Sequence, residues 1–329
     1  KISAAKRNSL KKHSHYLSER GPDYYGEINN SHYFLANSRL KIVSKKDTKV
    51  PMYKHNSYIA FSGEILNFNE LRKSLKEKGY NFFSDTDTEV ILSLYDCYGL
   101  DFVKYLKGFF SIAIYDTWKK KLFLIIDRIG NKAIFYHNNK NFLVFSSQQS
   151  YLLRSKLLEF NENEKKISEF IVFGDISGKE TLHKNIKKML PGEIIVYDFK
   201  NIKISKYYDI KEKILQNSTK KLLSYKETCL KLKKNFTDTV NLWSKNCAYN
   251  KSILLSAGID SGLLAMYLSK KSNKLKSYTA NTLNKDSQNF NEYDQAKALI
   301  KKYKIDSKLV SFEKDDIDKN LDTLYSNFE

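Results

Sequence analysis

The sequence predicts two domains of different class, a strand-rich α+β domain followed by an α/β domain. A chain of 329 residues is long enough for two domains that each bury a core. Apolar runs of strand length dominate the first two hundred residues, with few helices between them. From about residue 210 the pattern changes to strands that alternate with helices.

In the first half, β-branched and aromatic runs predict strands over 58–61, 109–115, 122–127, 142–146 and 193–199. Two helices are predicted between them. Residues 67–79 carry Phe68, Leu71 and Leu75 on one stripe, and 86–98 begin with Asp87 and Glu89 in the first turn. Dense strands with few helices indicate sheet layers covered by helices.

In the second half, the polar and poorly periodic segment 211–224 predicts a linker, and 225–245 has apolar residues at helical spacing. The rest reads as strand, helix, strand, helix, strand. The predicted elements are strand 252–255, helix 261–271, strand 275–282, helix 291–304 and strand 308–312. This βαβαβ order predicts a parallel, doubly wound sheet, here with three strands.

The composition limits the partners. The net charge of +20 would suit a nucleic acid, but only 6 of the 57 basic residues are Arg, and the Lys residues are scattered in pairs. We therefore expect a solvated basic surface and no nucleic-acid partner. No apolar run reaches the eighteen residues of a membrane span, the first residues contain no secretory signal, and the three cysteines form no CxxC. These features predict a cytoplasmic protein without a membrane partner.

Residues 253–262 contain the sharpest local motif, Ile-Leu-Leu-Ser-Ala-Gly-Ile-Asp-Ser-Gly. A strand that enters a turn of tiny residues and then a helix presents backbone N–H groups to an anion, which suits a pyrophosphate. No GK[ST] follows, so this is not the Walker motif. The alternative is an ordinary strand-to-helix turn in which Gly258 serves the turn and Asp260 caps the helix.

Five further motifs precede it in a fixed order. They are RGPD at 20–23, SRLKIV at 38–43, AFSGEILNF at 60–68, SDTDTEVIL at 84–92 and DRIGNK at 127–132. Together with the Ser-Ala-Gly-Ile-Asp-Ser turn, which is similar to the PP-loop S-G-G-x-D-S of ATP-pyrophosphatases, this series resembles the glutamine-hydrolysing asparagine synthetase family over nearly the whole chain. Ala257 stands where the PP-loop has a glycine.

The resemblance implies a fold for each half. It implies an N-terminal-nucleophile hydrolase, a four-layer αββα sandwich, over residues 1–210 as the class II glutamine amidotransferase domain. A linker over 211–224 and the N-terminal part of a doubly wound PP-loop synthetase domain over 225–329 would follow.

The resemblance also implies a glutamine site. Arg39 would bind the α-carboxylate of glutamine as a bidentate fork, and Glu64 and Asp87 would bind its α-ammonium. Ser62 and Gly63, in the turn that the family writes Asn-Gly-Glu, would stabilise the oxyanion of amide hydrolysis. A serine hydroxyl reaches less far than the asparagine amide of the family.

The family nucleophile is an N-terminal cysteine whose own amine acts as the base, and it would lie about ten residues before Lys1. Cys97, Cys229 and Cys247 lack a free amine and cannot replace it. We therefore expect the chain to be an interior fragment that is inactive by itself.

For ATP, the resemblance implies that Ser256, Gly258, Asp260 and Ser261 bind the pyrophosphate and that Leu254 and Ala280 flank the adenine. Glu292, at the start of the next helix, would help to hold Mg²⁺ or would cap that helix. The implied cofactors are ATP and Mg²⁺.

The implied function is an amide ligase. Glutamine would supply ammonia to an acyl-adenylate formed from ATP and aspartate, giving asparagine, glutamate, AMP and pyrophosphate. Three alternatives stay open: another carboxylate acceptor such as a sugar carboxylate, a relative whose glutaminase half is inactive, and a tRNA-modifying PP-loop protein. A homodimer is an assembly that the resemblance allows.

Overall fold

The computed structural model describes residues 2–159, 161–218, 222–246, 248–271, 275–282 and 293–327. The chain divides into two compact units, Lys1–Leu222 and Leu223–Glu329. Within the described ranges, none of the helices combines the length and hydrophobicity that a bilayer crossing requires.

The first unit contains, in chain order, α1 (Ala4–Ser14), β1 (Tyr24–Asn29), β2 (Phe34–Arg39), β3 (Met52–Lys54), β4 (Ser57–Ile65), α2 (Phe68–Glu77), α3 (Asp87–Tyr98), β5 (Gly108–Asp116), β6 (Lys121–Ile126), β7 (Phe135–Asn138), β8 (Leu143–Ser146), α4 (Gln149–Arg154), α5 (Glu164–Phe173), β9 (Lys187–Lys188), β10 (Glu193–Tyr197), β11 (Ile202–Lys206) and α6 (Ile210–Ser218). The five strands and two helices predicted for this half are all present.

The layers of this unit follow from the alternation of side chains along its strands. The six-stranded sheet has the order β11-β10-β6-β5-β4-β3. Ile112 and Ile114 on one face pack with residues of α2 and α3, whereas Ala113 on the other face packs with Tyr136 of β7. The second sheet, β8-β7-β9, packs through Val144 against α1 and α4. Helices, sheet, sheet, helices is the αββα sandwich, so the predicted fold is confirmed.

A separate hairpin, β1 with β2, lies beside the larger sheet. Asn37 of β2 joins the two, because its side-chain oxygen accepts the N–H of Phe61 at 3.2 Å and its nitrogen donates to the Phe61 carbonyl at 3.4 Å. Arg39 at the end of β2 is thereby fixed near β4.

The second unit contains α7 (Tyr225–Lys245), β12 (Ser252–Leu254), α8 (Ile259–Ser269), β13 (Lys276–Thr282), α9 (Tyr293–Tyr303), β14 (Asp306–Phe312) and α10 (Lys314–Asn327). The strands pair in parallel in the order β12-β13-β14, as the βαβαβ pattern predicts. Ile253 and Leu255 pack with α8 and α9 on one face of the sheet. On the opposite face Leu254 and Val310 are exposed.

Much of the predicted linker is helical. Asp209 starts α6, since its carboxylate accepts the N–H of Lys211 at 2.9 Å. The domain boundaries at 210 and 225 stay predictions.

Candidate functional site

A cavity of about 860 Å³ lies within the first unit. All five residues that the sequence analysis assigns to glutamine and the oxyanion line it, namely Arg39, Ser62, Gly63, Glu64 and Asp87. They come from β2, from β4 and from the start of α3. The fold therefore brings together residues that are up to 48 positions apart in the chain.

Arg39 is anchored by the loop that follows it. Its guanidinium donates to the carbonyl of Lys46 at 3.0 Å and to that of Ser44 at 3.3 Å. A guanidinium has five N–H groups, so it can hold this loop and still donate to a carboxylate in the cavity.

The RGPD motif supports the backbone at Arg39. A Cβ on Gly21 would lie 2.6 Å from the Arg39 nitrogen, so only glycine allows this approach. The Asp23 N–H donates to the Arg39 carbonyl at 3.0 Å, and the Asp23 carboxylate accepts the N–H of Lys41 at 2.7 Å. This motif acts on the site through the backbone.

Ser62, Gly63 and Glu64 lie inside β4, opposite Ser111, Phe110 and Phe109 of β5. The prediction of a turn at this motif was wrong, because the chain stays extended in the sheet. Gly63 is nevertheless required there: its φ is 135°, and a Cβ would lie 2.1 Å from the Phe109 carbonyl oxygen.

The two carboxylates are set apart from ordinary surface carboxylates by burial. Asp87 is 5% exposed, and its two oxygens accept the N–H groups of Ile65 at 3.1 Å and Thr88 at 2.9 Å. Burial raises the pKa of Asp87 to about 6, and the charge of Glu64 adds to this effect. Burial also raises the pKa of Glu64, against the charge of Lys132. A ligand ammonium would satisfy both groups.

Lys132 belongs to the cavity as well, and no role was predicted for it from the sequence. Its Nζ lies 5.4 Å from the centre of the Phe109 ring. Phe109 is the residue of β5 that pairs with Glu64 of β4. Its loop is organised by the buried carboxylate of Asp127, which accepts four backbone N–H groups, those of Phe110, Ile129, Asn131 and Lys132. The DRIGNK motif was the available signal for this residue.

In the second unit the Ser-Ala-Gly-Ile-Asp-Ser loop is closed by two hydroxyls. Ser256 Oγ lies 3.0 Å from Ser261 Oγ and accepts the Gly258 N–H at 3.2 Å, while Ser261 Oγ reaches the Gly258 carbonyl at 3.1 Å. Gly258 is the N-cap residue of α8, which begins at Ile259, and no side chain caps this end. Asp260 is exposed in the first turn. An uncapped helix N-terminus of small residues fits a pyrophosphate.

Leu254 and Ala280 are exposed on the same face of the sheet. Leu254 pairs with Tyr278, and Ala280 lies two residues further along β13. Both are near the carboxyl ends of parallel strands, where open α/β sheets bind ligands. Glu292 and Cys247 lie outside the described residues. Within the described ranges, no three His, Cys, Asp or Glu side chains converge as metal ligands would.

The sequence matches two family models. The model of the glutamine amidotransferase domain matches residues 1–208, which is more than half of the chain. The chain belongs to the glutamine amidotransferase family. The model described as asparagine synthase matches residues 248–329, which include the Ser256 loop.

Curated relatives of this chain include glutamine-hydrolyzing asparagine synthetases. Asparagine synthetase [glutamine-hydrolyzing] 3 of Bacillus subtilis (strain 168) is 27% identical over 292 residues, covering 86% of this chain and 46% of the relative. Asparagine synthetase [glutamine-hydrolyzing] 1 of the same organism is 27% identical over 291 residues, covering 88% and 44%. The glutamine-hydrolyzing asparagine synthetase 1 of Arabidopsis thaliana is 36% identical over 135 residues, covering 40% and 23%. The chain thus spans less than half the length of these relatives.

Among solved structures, the glutamine phosphoribosylpyrophosphate amidotransferase of B. subtilis, complexed with ADP and GMP, covers 93% of this chain and 63% of its own. The identity is 13% and the TM-score 0.43. A structure described as the allosteric regulatory enzyme of purine biosynthesis gives 14% identity and a TM-score of 0.44.

Proposed function

We propose that the first unit binds glutamine and hydrolyses its side-chain amide. The observation that carries the proposal is the single cavity lined by Arg39, Ser62, Gly63, Glu64 and Asp87. Arg39 binds the α-carboxylate, and the half-buried Glu64 and the buried Asp87 bind the α-ammonium. The amide carbon is then held toward Ser62 and Gly63, which donate to the oxyanion that forms during attack.

The attacking group in this proposal is the thiolate of a cysteine that precedes Lys1, with its own α-amine as the base. The thiolate adds to the amide carbon, the C–N bond breaks, and the protonated nitrogen leaves as ammonia. Water then cleaves the thioester and releases glutamate. Glutamine and water are consumed, and glutamate and ammonia are formed.

We infer that the second unit uses ATP. The loop from Ser256 to Ser261 and the α8 N-terminus hold the β- and γ-phosphates, and Leu254 and Ala280 flank the adenine. The acceptor carboxylate attacks the α-phosphorus, and pyrophosphate leaves. Ammonia then attacks the acyl carbon, an amide forms, and AMP leaves. Mg²⁺ with Glu292 as a ligand belongs to the same proposal and would offset phosphate charge.

Aspartate is the acceptor that the asparagine synthase match favours, with asparagine as the product. The second candidate is a related ligase with a weakened glutaminase half. Ser62 supports this candidate, because it stands at the oxyanion position where the family motif has asparagine.

We place the protein in the cytoplasm, where free thiols such as Cys97 and Cys229 persist.

The test uses the protein encoded by the complete reading frame. With glutamine, ATP, Mg²⁺ and aspartate, we expect glutamate, AMP and asparagine in equal amounts. Replacing glutamine by ammonium chloride tests the synthetase half without the glutaminase half. If asparagine forms with ammonium chloride but not with glutamine, the protein is assigned to the second candidate. ATP–pyrophosphate exchange that ignores aspartate but responds to another carboxylate excludes aspartate as the acceptor. No glutamate release and no exchange would overturn the proposal.

A further inference from the structure

A second buried carboxylate, Glu89, lies two residues beyond Asp87 on α3 and does not face the cavity. It is fully buried, and four donors converge on its two oxygens. They are the Lys54 Nζ at 2.7 Å, the Phe83 N–H at 3.0 Å, and the N–H and the hydroxyl of Ser84, both at 2.7 Å. Burial alone would raise the pKa of Glu89, but these donors outweigh it and hold the pKa below its usual range.

The donors Phe83 and Ser84 belong to the loop from Phe83 to Thr86, and Arg72 of α2 binds the carbonyls of this loop. One guanidinium nitrogen donates to the Ser84 carbonyl and another to the Thr86 carbonyl, both at 2.8 Å. Arg72 also lies over the Phe82 ring, 4.9 Å from its centre. Glu89 therefore accepts the N–H groups of residues 83 and 84, and Arg72 donates to the carbonyls of residues 84 and 86.

The loop held by these hydrogen bonds leads directly to the cavity. Thr86 is the N-cap residue of α3, and Thr86, Asp87 and Thr88 line the cavity wall. Asp87 in turn accepts the Ile65 N–H, one residue beyond Glu64. The position of the Asp87 carboxylate thus depends on where the loop from Phe83 to Thr86 places the start of the helix.

We propose that Glu89 and Arg72 are positioning residues: they fix the position of the Asp87 carboxylate, which binds the ammonium group. The inference rests on the proposed role of Asp87 in glutamine binding. It assigns a function to the glutamate of the SDTDTEVIL motif and to an arginine outside every motif.

Glu89→Gln is the direct test, because it keeps the shape of the side chain. An amide has one acceptor oxygen, so its NH₂ group would face donors from Ser84 or from Lys54 and Phe83. We expect the loop from Phe83 to Thr86 to lose its hydrogen bonds to residue 89, and the carboxylate of Asp87 to shift as a result.

Asp116→Asn is the matched control. Asp116 is equally a buried carboxylate against α3, and it accepts a hydroxyl from Tyr95, two backbone N–H groups from Trp118 and Lys119, and the Lys119 ammonium. It lies at the opposite end of β5 from the residues that face Glu64. A purely structural role for Glu89 predicts the same behaviour for the two variants.

The first measurement is substrate discrimination in the full-length protein. The ratio of kcat/KM for glutamine to that for 4-carbamoylbutanoate, which lacks the α-ammonium, should fall about tenfold in Glu89→Gln, as expected for a weakened charge-assisted hydrogen bond. The ratio should fall because the KM for glutamine rises, while kcat stays nearly constant. Asp116→Asn should leave the ratio unchanged. An unchanged ratio in Glu89→Gln, or an equal fall in both variants, would overturn the inference.

The second measurement needs no activity. Hydrogen exchange of the Ile65 amide should accelerate in Glu89→Gln and not in Asp116→Asn, because Asp87 is its acceptor. If the wild-type protein releases no glutamate, the proposed function fails and this exchange rate alone decides the positioning role. If Glu89→Gln does not fold, Arg72→Lys replaces it, since lysine keeps the charge but loses the fork to two carbonyls. Unaltered Ile65 exchange in a folded variant would contradict the inference.

Discussion

The two units present their candidate residues in opposite ways. In the first unit Asp87 is buried, and the segments around Arg39, Glu64 and Lys132 are tied down by backbone hydrogen bonds. In the second unit Leu254 of β12, Ala280 of β13 and Asp260 in the first turn of α8 are all exposed. Residues of the first unit therefore contribute to folding as well as to binding, whereas those of the second should be separable from stability.

The largest effect that this comparison predicts is at Asp260. In the full-length protein, Asp260→Ala should abolish ATP–pyrophosphate exchange while glutamine hydrolysis and the melting temperature stay unchanged, since the exposed side chain contributes to binding alone. Asp315→Ala, in the first turn of α10, is the control and should leave exchange intact. Normal exchange in Asp260→Ala would reduce the loop to an ordinary turn.

The next effect is at Ser62. Ser62→Asn should raise the glutaminase turnover by up to about a hundredfold, because an amide reaches further than a hydroxyl toward a developing oxyanion. Glutamate release at saturating glutamine measures it, with ammonium-dependent synthesis as the control. Equal or lower turnover in the asparagine variant would count against an oxyanion role for position 62.

Arg39 should show the mixture of roles that the comparison expects in the first unit. Arg39→Lys should raise the glutamine KM about thirtyfold through loss of a charge-assisted fork. Arg39→Ala should also destabilise the unit by about 1 to 3 kcal/mol, because the carbonyls of Ser44 and Lys46 lose their donors. Parallel KM and thermal unfolding measurements separate the two. A destabilised variant that binds glutamine normally would assign Arg39 to structure.

The smallest effect is a pH dependence. The pKa of Asp87 is about 6 in the folded protein, above that of an exposed aspartate, so its stabilising contribution is present at acid pH and is lost as the pH rises through 6. A ligand ammonium favours the ionised form. The glutamine KM should therefore rise about tenfold per pH unit below 6. Asp87→Asn should give a high KM that does not vary with pH, and a constant wild-type KM between pH 5 and 7 would contradict the assignment.

Strongly apolar strands and helices with clear stripes could be predicted from the sequence, because their signals are local. The runs that became β4, β5, β6 and β10 are examples. The hairpin of β1 and β2 was missed, since most of its residues are polar or half-buried and it depends on Asn37 for its attachment to β4. Helix α6 was missed because its segment is mostly polar and none of its residues is buried in a core, although Asp209 starts it.

The candidate site was predictable as a set of motifs and less so as a structure. Arg39, Glu64 and Asp87 could be named from their motifs, but their proximity depends on sheet pairing. Glu89 and Arg72 were not assigned a role, because both act on the loop from Phe83 to Thr86 through its backbone groups. Hydrogen bonds to the backbone leave no pattern in the side-chain sequence, which explains why Asp127 was also missed.

The four N–H bonds to Asp127 have a consequence for how this loop can vary. Every amino acid except proline supplies an N–H, so residues 129 and 131 can change freely without altering the path of the chain. The exposed Ile129 side chain shows that such a position is free toward solvent. Proline at 129, 131 or 132, or loss of the carboxylate at 127, would displace Lys132 from the cavity. A library randomised at positions 129 and 131 alone should therefore retain almost every substitution other than proline, whereas Gly130, with a φ of 72°, should not tolerate a side chain.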